Sequence, residues 1–247
     1  MGNVNTNMKV SKTRIEIIDA LRGISVILMV VHHLLYNFVA FLGAPPWLFS
    51  NPVFDVLHYF FAGLFIFLSG VSSRFSRSNI KRGLIVIAVA AGISAIMYFM
   101  EMPIWFGILH FLGFSMLFYG LTHKFWTAIP RAVAPFVYII GIIGGALATS
   151  YASINAHGVA GVVVSVLGWP QAGFVSYDYF PILPWIFVFL LGTWAGKYIA
   201  EKKLPNWFYE KKVPIFPIIG RNALIIYILH QPILYGIVFA IKYFITP

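Results

Sequence analysis

The sequence predicts an all-α, polytopic integral membrane bundle of about seven transmembrane helices, with the N-terminus cytoplasmic. Three observations predict it. Hydrophobic residues make up 60% of the 247 residues and charged residues 10%, against roughly 25% charged in soluble domains. The apolar residues gather into runs near the ~20 residues that cross a bilayer as a helix. The 17 lysines and arginines fall into alternate connections between those runs, and cytoplasmic connections are the ones that retain such residues.

Taken in order, run 15–42 follows Lys9, Lys12 and Arg14 and carries Asp19 and Arg22 near its start. It is too long for a signal peptide and lacks a clear cleavage site, so it reads as a signal-anchor helix behind a cytoplasmic segment, residues 1–14. Met1-Gly2-Asn3-Val4-Asn5-Thr6 formally matches a myristoylation pattern, but a chain with spans of its own needs no lipid to reach a membrane. Connection 43–54 has no basic residue, whereas run 53–71 returns the chain to Arg74, Arg77, Lys81 and Arg82. Run 83–100 leads to a turn without Lys or Arg, and run 104–121 leads back to Lys124 and Arg131. Run 132–150 opens into an outer loop, 151–180, again without basic residues. Its apolar stretch 158–169 is too short to span and reads as interfacial or re-entrant. Run 180–199 ends among Lys197, Lys202, Lys203, Lys211, Lys212 and Arg221. Run 218–245 is long enough to tilt, or to break at Pro232, and Lys242 is the one basic residue on the outer side. No repeat or soluble module interrupts the chain, so 1–247 reads as one domain. Gly144-Gly145 and the pair Gly192 and Gly196 predict close helix packing.

The net charge of +10 is dispersed at helix ends, which fits orientation and anionic lipid headgroups rather than nucleic acid. With no cysteine in the chain, a thiol nucleophile, a thiolate metal site and a disulfide are all excluded.

Ionisable groups inside a membrane are costly and usually face the protein interior, so each is a candidate site residue. His33 lies eleven residues past Arg22, about 16 Å deeper at helical rise. Asn37 follows one turn later on the same face, while His32 points about 100° away and reads as a packed or interfacial residue. Asp55 and His58 form an i, i+3 pair at the outer end of the second run, which supplies too few ligands for a metal site; none is expected. His110 lies in the outer half of the fourth run, His230 stands beside Gln231 and Pro232, and Asp178 precedes the sixth run. His123 and His157 read as loop residues. The cytoplasmic ends offer Arg and Lys instead. A cationic rim suits phosphate oxygens, and deeper histidine suits general-base chemistry, so a phosphorylated donor entering from the cytoplasm fits both ends.

Several segments resemble a known family. Glu16-Ile17-Ile18-Asp19-Ala20-Leu21-Arg22-Gly23 running into Met29-Val30-Val31-His32-His33 is similar to the opening helix of polytopic membrane acyltransferases. Phe65 to Ser73, Phe106 to Gly113, Tyr177-Asp178-Tyr179-Phe180-Pro181 and Gly220 to Pro232 complete the pattern in register. Together they resemble the heparan-alpha-glucosaminide N-acetyltransferase catalytic family, in its short prokaryotic members. The resemblance implies acyl transfer from cytosolic acetyl-CoA, or a related acyl-CoA, to an acceptor across the membrane, in a prokaryotic plasma membrane. The lysosomal enzyme carries its proposed active histidine in the loop after the first helix, where connection 43–54 here has none, so the glucosamine acceptor does not carry over. Under this reading His33 is the general base, His110 is second in line, and Asn37 orients or stabilises the developing oxyanion. Arg22, Arg74, Arg82 and Arg221 would hold the donor with Ser69 lining the thioester channel, while Asp55, His58, Asp178 and His230 would face a small-molecule or glycan acceptor. Oligomeric state is left open, a homodimer among the options. The alternative is a small proton-coupled transporter, which would also bury histidines at mid-depth.

Overall fold

The computed structural model describes residues 14–245. The N-terminal segment 1–13, with the myristoylation pattern, lies outside the described residues. Ten α-helices follow in order: α1 (Glu16–Leu42), α2 (Pro52–Ser73), α3 (Asn79–Phe99), α4 (Ile108–Ala128), α5 (Ala134–Tyr151), α6 (Gly158–Leu167), α7 (Ile182–Ala200), α8 (Asn206–Glu210), α9 (Phe216–Arg221) and α10 (Ala223–Ile245). Among the described residues there is no β-strand, only an isolated bridge between Phe106 and Tyr179.

Among the described residues, six helical spans are long and apolar enough to cross a membrane, which makes this an integral membrane protein. The seventh expected crossing is α4, 21 residues long but not among those six, with His123 and Lys124 in its exposed last turns. Protein surrounds much of it: Phe111, Leu112, Ser115, Met116 and Tyr119 are buried. Helix α6 has 10 residues, about 15 Å at helical rise, and is too short to span, as the sequence predicts.

The bundle places α2 against α7, α7 against α5, α3 against α4, and α1 against α2, α9 and α10. Its core lies among α2, α4, α5 and α7, where Ile66, Phe111, Tyr138, Phe189 and Leu190 are buried together. Glycine permits the closest crossing. A Cβ on Gly70 would collide with the Phe189 carbonyl, and one on Gly192 with the Phe67 carbonyl. Gly196 meets the Val71 carbonyl and Gly145 the backbone of Pro184, whereas Gly144 faces open space. The packing role expected of these glycines therefore holds for Gly145, Gly192 and Gly196 and not for Gly144. Gly192→Val is expected to destabilise the bundle by about 1–3 kcal/mol, since the obstacle is backbone, and a thermal melt of the purified protein checks it.

Two boundaries differ from expectation. Helix α4 starts at Ile108 rather than at 104, because Phe180 N–H bonds the Phe106 carbonyl (2.9 Å) and holds the preceding residues extended. The last run breaks at Asn222, between α9 and α10, and α10 continues through Pro232. The break serves a helix crossing: on α9, Gly220 lies against the Asp19 carbonyl, and on α1, Gly23 lies against that of Phe216.

Candidate active site

Helices α1, α2, α3 and α10, the start of α4 and the connection before α7 enclose a cavity of about 1050 Å³. Most of its wall is apolar. Its polar groups include His32, His33, His58, Asp178, Tyr227, His230 and Gln231.

The histidines form two pairs. His33 Nδ1 lies 3.0 Å from the Met29 carbonyl and 3.3 Å from His230 Nε2. His230 Nδ1 lies 2.6 Å from the Tyr227 carbonyl. A carbonyl only accepts, so these partners select the Nδ1–H tautomer on both rings. His230 Nε2 then accepts from His33, and His33 Nε2 keeps its lone pair. The second pair is a stack of His32 on His58, centroids 4.3 Å apart. His32, read from sequence as a packed residue, thus also lines the cavity.

Asp178 lines the cavity from the connection before α7. Its Oδ2 accepts from the Tyr227 hydroxyl (2.7 Å) and from the Ile108 N–H (2.9 Å). The second bond caps α4, whose N-cap Gly107 has no side chain to do so; a carboxylate is favourable at that helix end. A Cβ at Gly107 would strike the Asp178 carboxyl, so glycine is what admits it. Burial pushes the Asp178 carboxyl up, against the two hydrogen bonds that hold it down. Tyr227 therefore links Asp178 to the His230 turn of α10, its hydroxyl to Asp178 and its carbonyl to His230.

The structure brings His33, His58, Asp178 and His230 of the expected residues to the cavity, and it places the others elsewhere. Asn37 is fully buried and donates to Gln231 Oε1 (3.3 Å). That turns its amide away from the cavity, so an oxyanion donor is better sought in Gln231, which lines the wall. His110 faces Ser94 of α3 (Nε2 to Oγ, 3.4 Å) and Asp55 is exposed; neither lines the cavity. Ser69 bonds back to the Phe65 carbonyl (2.9 Å). At the basic end, Asp19 accepts from Arg22 (3.0 Å) and Arg221 (3.3 Å), and Arg22 also donates to Ser72 Oγ. The Gly23–Gly220 approach makes this three-way contact. Arg82 is near enough to Arg22 for their charges to repel. Arg74 is engaged apart from them, donating to the Tyr119 hydroxyl (2.8 Å). Sequence reasoning missed Tyr227 and Gln231. The i, i+3 spacing of Tyr227 and His230 on one helix face was the available signal for the first. Among the described residues, no three His, Asp or Glu side chains are grouped to hold a metal ion.

Residues 14–232 match the family described as heparan-alpha-glucosaminide N-acetyltransferase, catalytic. The chain belongs to this family. A search of curated proteins and a search of solved structures gave no match. The heparan-alpha-glucosaminide N-acetyltransferase match ends at Pro232, just past His230 and Gln231, so it contains both histidine pairs, Asp178 and the Asp19 clamp. The motifs that carried the resemblance now have distinct physical roles. Asp19-Ala20-Leu21-Arg22-Gly23 and Gly220-Arg221-Asn222 clamp α1 to α9, whereas Tyr227 and His230 belong to the cavity.

Proposed function

We propose that this protein transfers an acetyl group from cytosolic acetyl-CoA to an amine or hydroxyl acceptor on the far side of the membrane, with His33 as general base. The observation that carries this reading is the His33–His230 pair. It leaves the His33 Nε2 lone pair uncommitted and holds the opposite N–H between two acceptors, the arrangement in which a ring can take a proton and remain oriented. The acceptor's N–H or O–H gives its proton to His33 Nε2 as its heteroatom bonds the acetyl carbon; the C–S bond breaks, and the leaving thiolate is protonated in turn. Gln231, steadied by Asn37, would donate to the carbonyl oxygen as it gains charge. Asp178 would receive the acceptor's amine or hydroxyl. Arg22, Arg82 and Arg221 would meet donor phosphates at the basic end, which the distribution of Lys and Arg assigns to the cytoplasm. For this the Arg22–Ser72 contact must open, because Arg22 lies one turn beyond the cavity-lining Ser25.

The test is transfer of radiolabelled acetyl from acetyl-CoA by the purified protein in lipid nanodiscs, offered primary amines and alcohols. Labelled product at a rate proportional to protein is expected, and folded protein giving none with either acceptor class would defeat the reading. The transporter alternative drew on a break at Pro232, and α10 runs through that residue.

A further inference from the structure

We infer that the acceptor is a lipid: a molecule whose hydrocarbon chain enters the cavity sideways from the bilayer and whose amine or hydroxyl head reaches His33. This rests on the acetyltransferase reading and names its acceptor class. Three observations carry it. The first is size, since an acetyl group on its thioester fills only a small part of about 1050 Å³, a volume at the upper end of small-molecule sites. The second is the division of the wall. The polar groups stand on α1, α2, α10 and the connection before α7, whereas α3 contributes only Ile93, Ile96, Met97 and Met100. A sugar or other small polar acceptor would leave hydroxyls unpaired against that face, and a chain with a polar head matches both faces. The third is the mouth. Ile96 is 64% exposed, Phe239 52% and Leu57 39%, yet all three also line the cavity. They lie within membrane-spanning helices, so the opening faces hydrocarbon. Helix α3 packs chiefly on α4, which leaves its Ile93–Met97 face to the cavity.

The experiment pairs a rate series with a crosslinking series. In nanodiscs, O-alkyl ethanolamines with methyl, butyl and octyl chains serve as primary-amine acceptors for labelled acetyl-CoA. Referred to acceptor in water, each methylene is expected to raise kcat/KM about fourfold on leaving water, a gain that partition into the nanodisc shares, so the comparison of wild type with cavity-filled variants carries the test. Ile93→Trp and Met97→Trp, which fill the α3 side, are expected to flatten that dependence; partitioning of the probe into the nanodisc would be the same for both proteins. Equal kcat/KM across the series, or a slope unchanged in the tryptophan variants, would overturn the inference. Independently of turnover, an O-octyl ethanolamine carrying a diazirine at the chain end is expected to label Ile93, Ile96 or Met97 in competition with unlabelled O-octyl ethanolamine. Labelling confined to the outer faces of the helices would also overturn it. Long-chain acyl-CoA competing for the label, with no chain-length effect among acceptors, would assign the chain to the donor and refute a lipid acceptor. Cavity labelling without acetyl transfer to any acceptor would defeat the acetyltransferase reading, and with it the acceptor assignment, while leaving a lipid site.

Discussion

His33→Gln is expected to lower acetyl transfer by about two to four orders of magnitude, the range that a positioned general base contributes. Glutamine fills similar space and can keep a bond to the Met29 carbonyl or to His230, but has no nitrogen that takes a proton at neutral pH. The variant should fold with the wild-type melting temperature and bind acetyl-CoA unchanged, since the basic end is untouched. His230→Gln should cost less. It removes the acceptor that steadies the His33 N–H, at 3.3 Å, and leaves the Met29 carbonyl in place. Steady-state rates of both variants in nanodiscs check the order. Equal activity of His33→Gln and wild type would remove His33 from the role of base.

Asp178→Ala should damage stability and activity together. It strips the partner from the Tyr227 hydroxyl and from the first N–H of α4, each a hydrogen bond to a carboxylate of about 1.5–3 kcal/mol. A total loss of about 3–5 kcal/mol is expected, with lowered expression and a lowered melting temperature. Asp178→Asn separates the effects. Its amide oxygen still accepts both bonds, so the fold should persist, whereas the charge offered to an acceptor amine is gone and KM for that amine should rise about tenfold or more, as for a lost charge-assisted bond. The pH dependence follows from burial, which lifts the carboxyl above its ordinary value of 3.8. A carboxyl raised on folding stabilises through its protonated form. That contribution is full below the unfolded value and is lost as pH rises through the raised folded value. Wild type should therefore lose melting temperature across that window, and Asp178→Asn should lack that part of the slope. A wild-type slope of opposite sign that Asp178→Asn abolishes would contradict the burial argument.

The membrane architecture was legible because it rests on local quantities. Apolar run length and the placement of Lys and Arg need no knowledge of tertiary contacts, and α1, α2, α5 and α7 fall within two residues of the expected runs at both ends. The departures arise where distant residues decide. Helix α4 starts late because residues around Tyr177 to Phe180 hold its approach extended and Asp178 supplies its cap. Nothing local to 104–108 announces either. Proline at 232 is a helix-breaking signal in isolation, yet the break falls at Asn222, where Gly220 must approach α1. For the site, titratable groups in spanning segments were the candidates, and of these His33, His58 and His230 meet one cavity. Rotation about the helix axis separated the rest. Asn37, one turn from His33, turns into the α10 interface toward Gln231, and His110 turns toward α3. Helical spacing gives which residues share a face, but which helix that face meets is a tertiary fact.

The most direct measurement is calorimetric titration of the purified protein with acetyl-CoA, beside an Arg22→Ala/Arg82→Ala double variant. The account predicts binding in the micromolar range for wild type and a loss of about tenfold or more in the variant, as expected when charge-assisted phosphate contacts go. Folded wild-type protein that binds neither acetyl-CoA nor longer acyl-CoAs would contradict it.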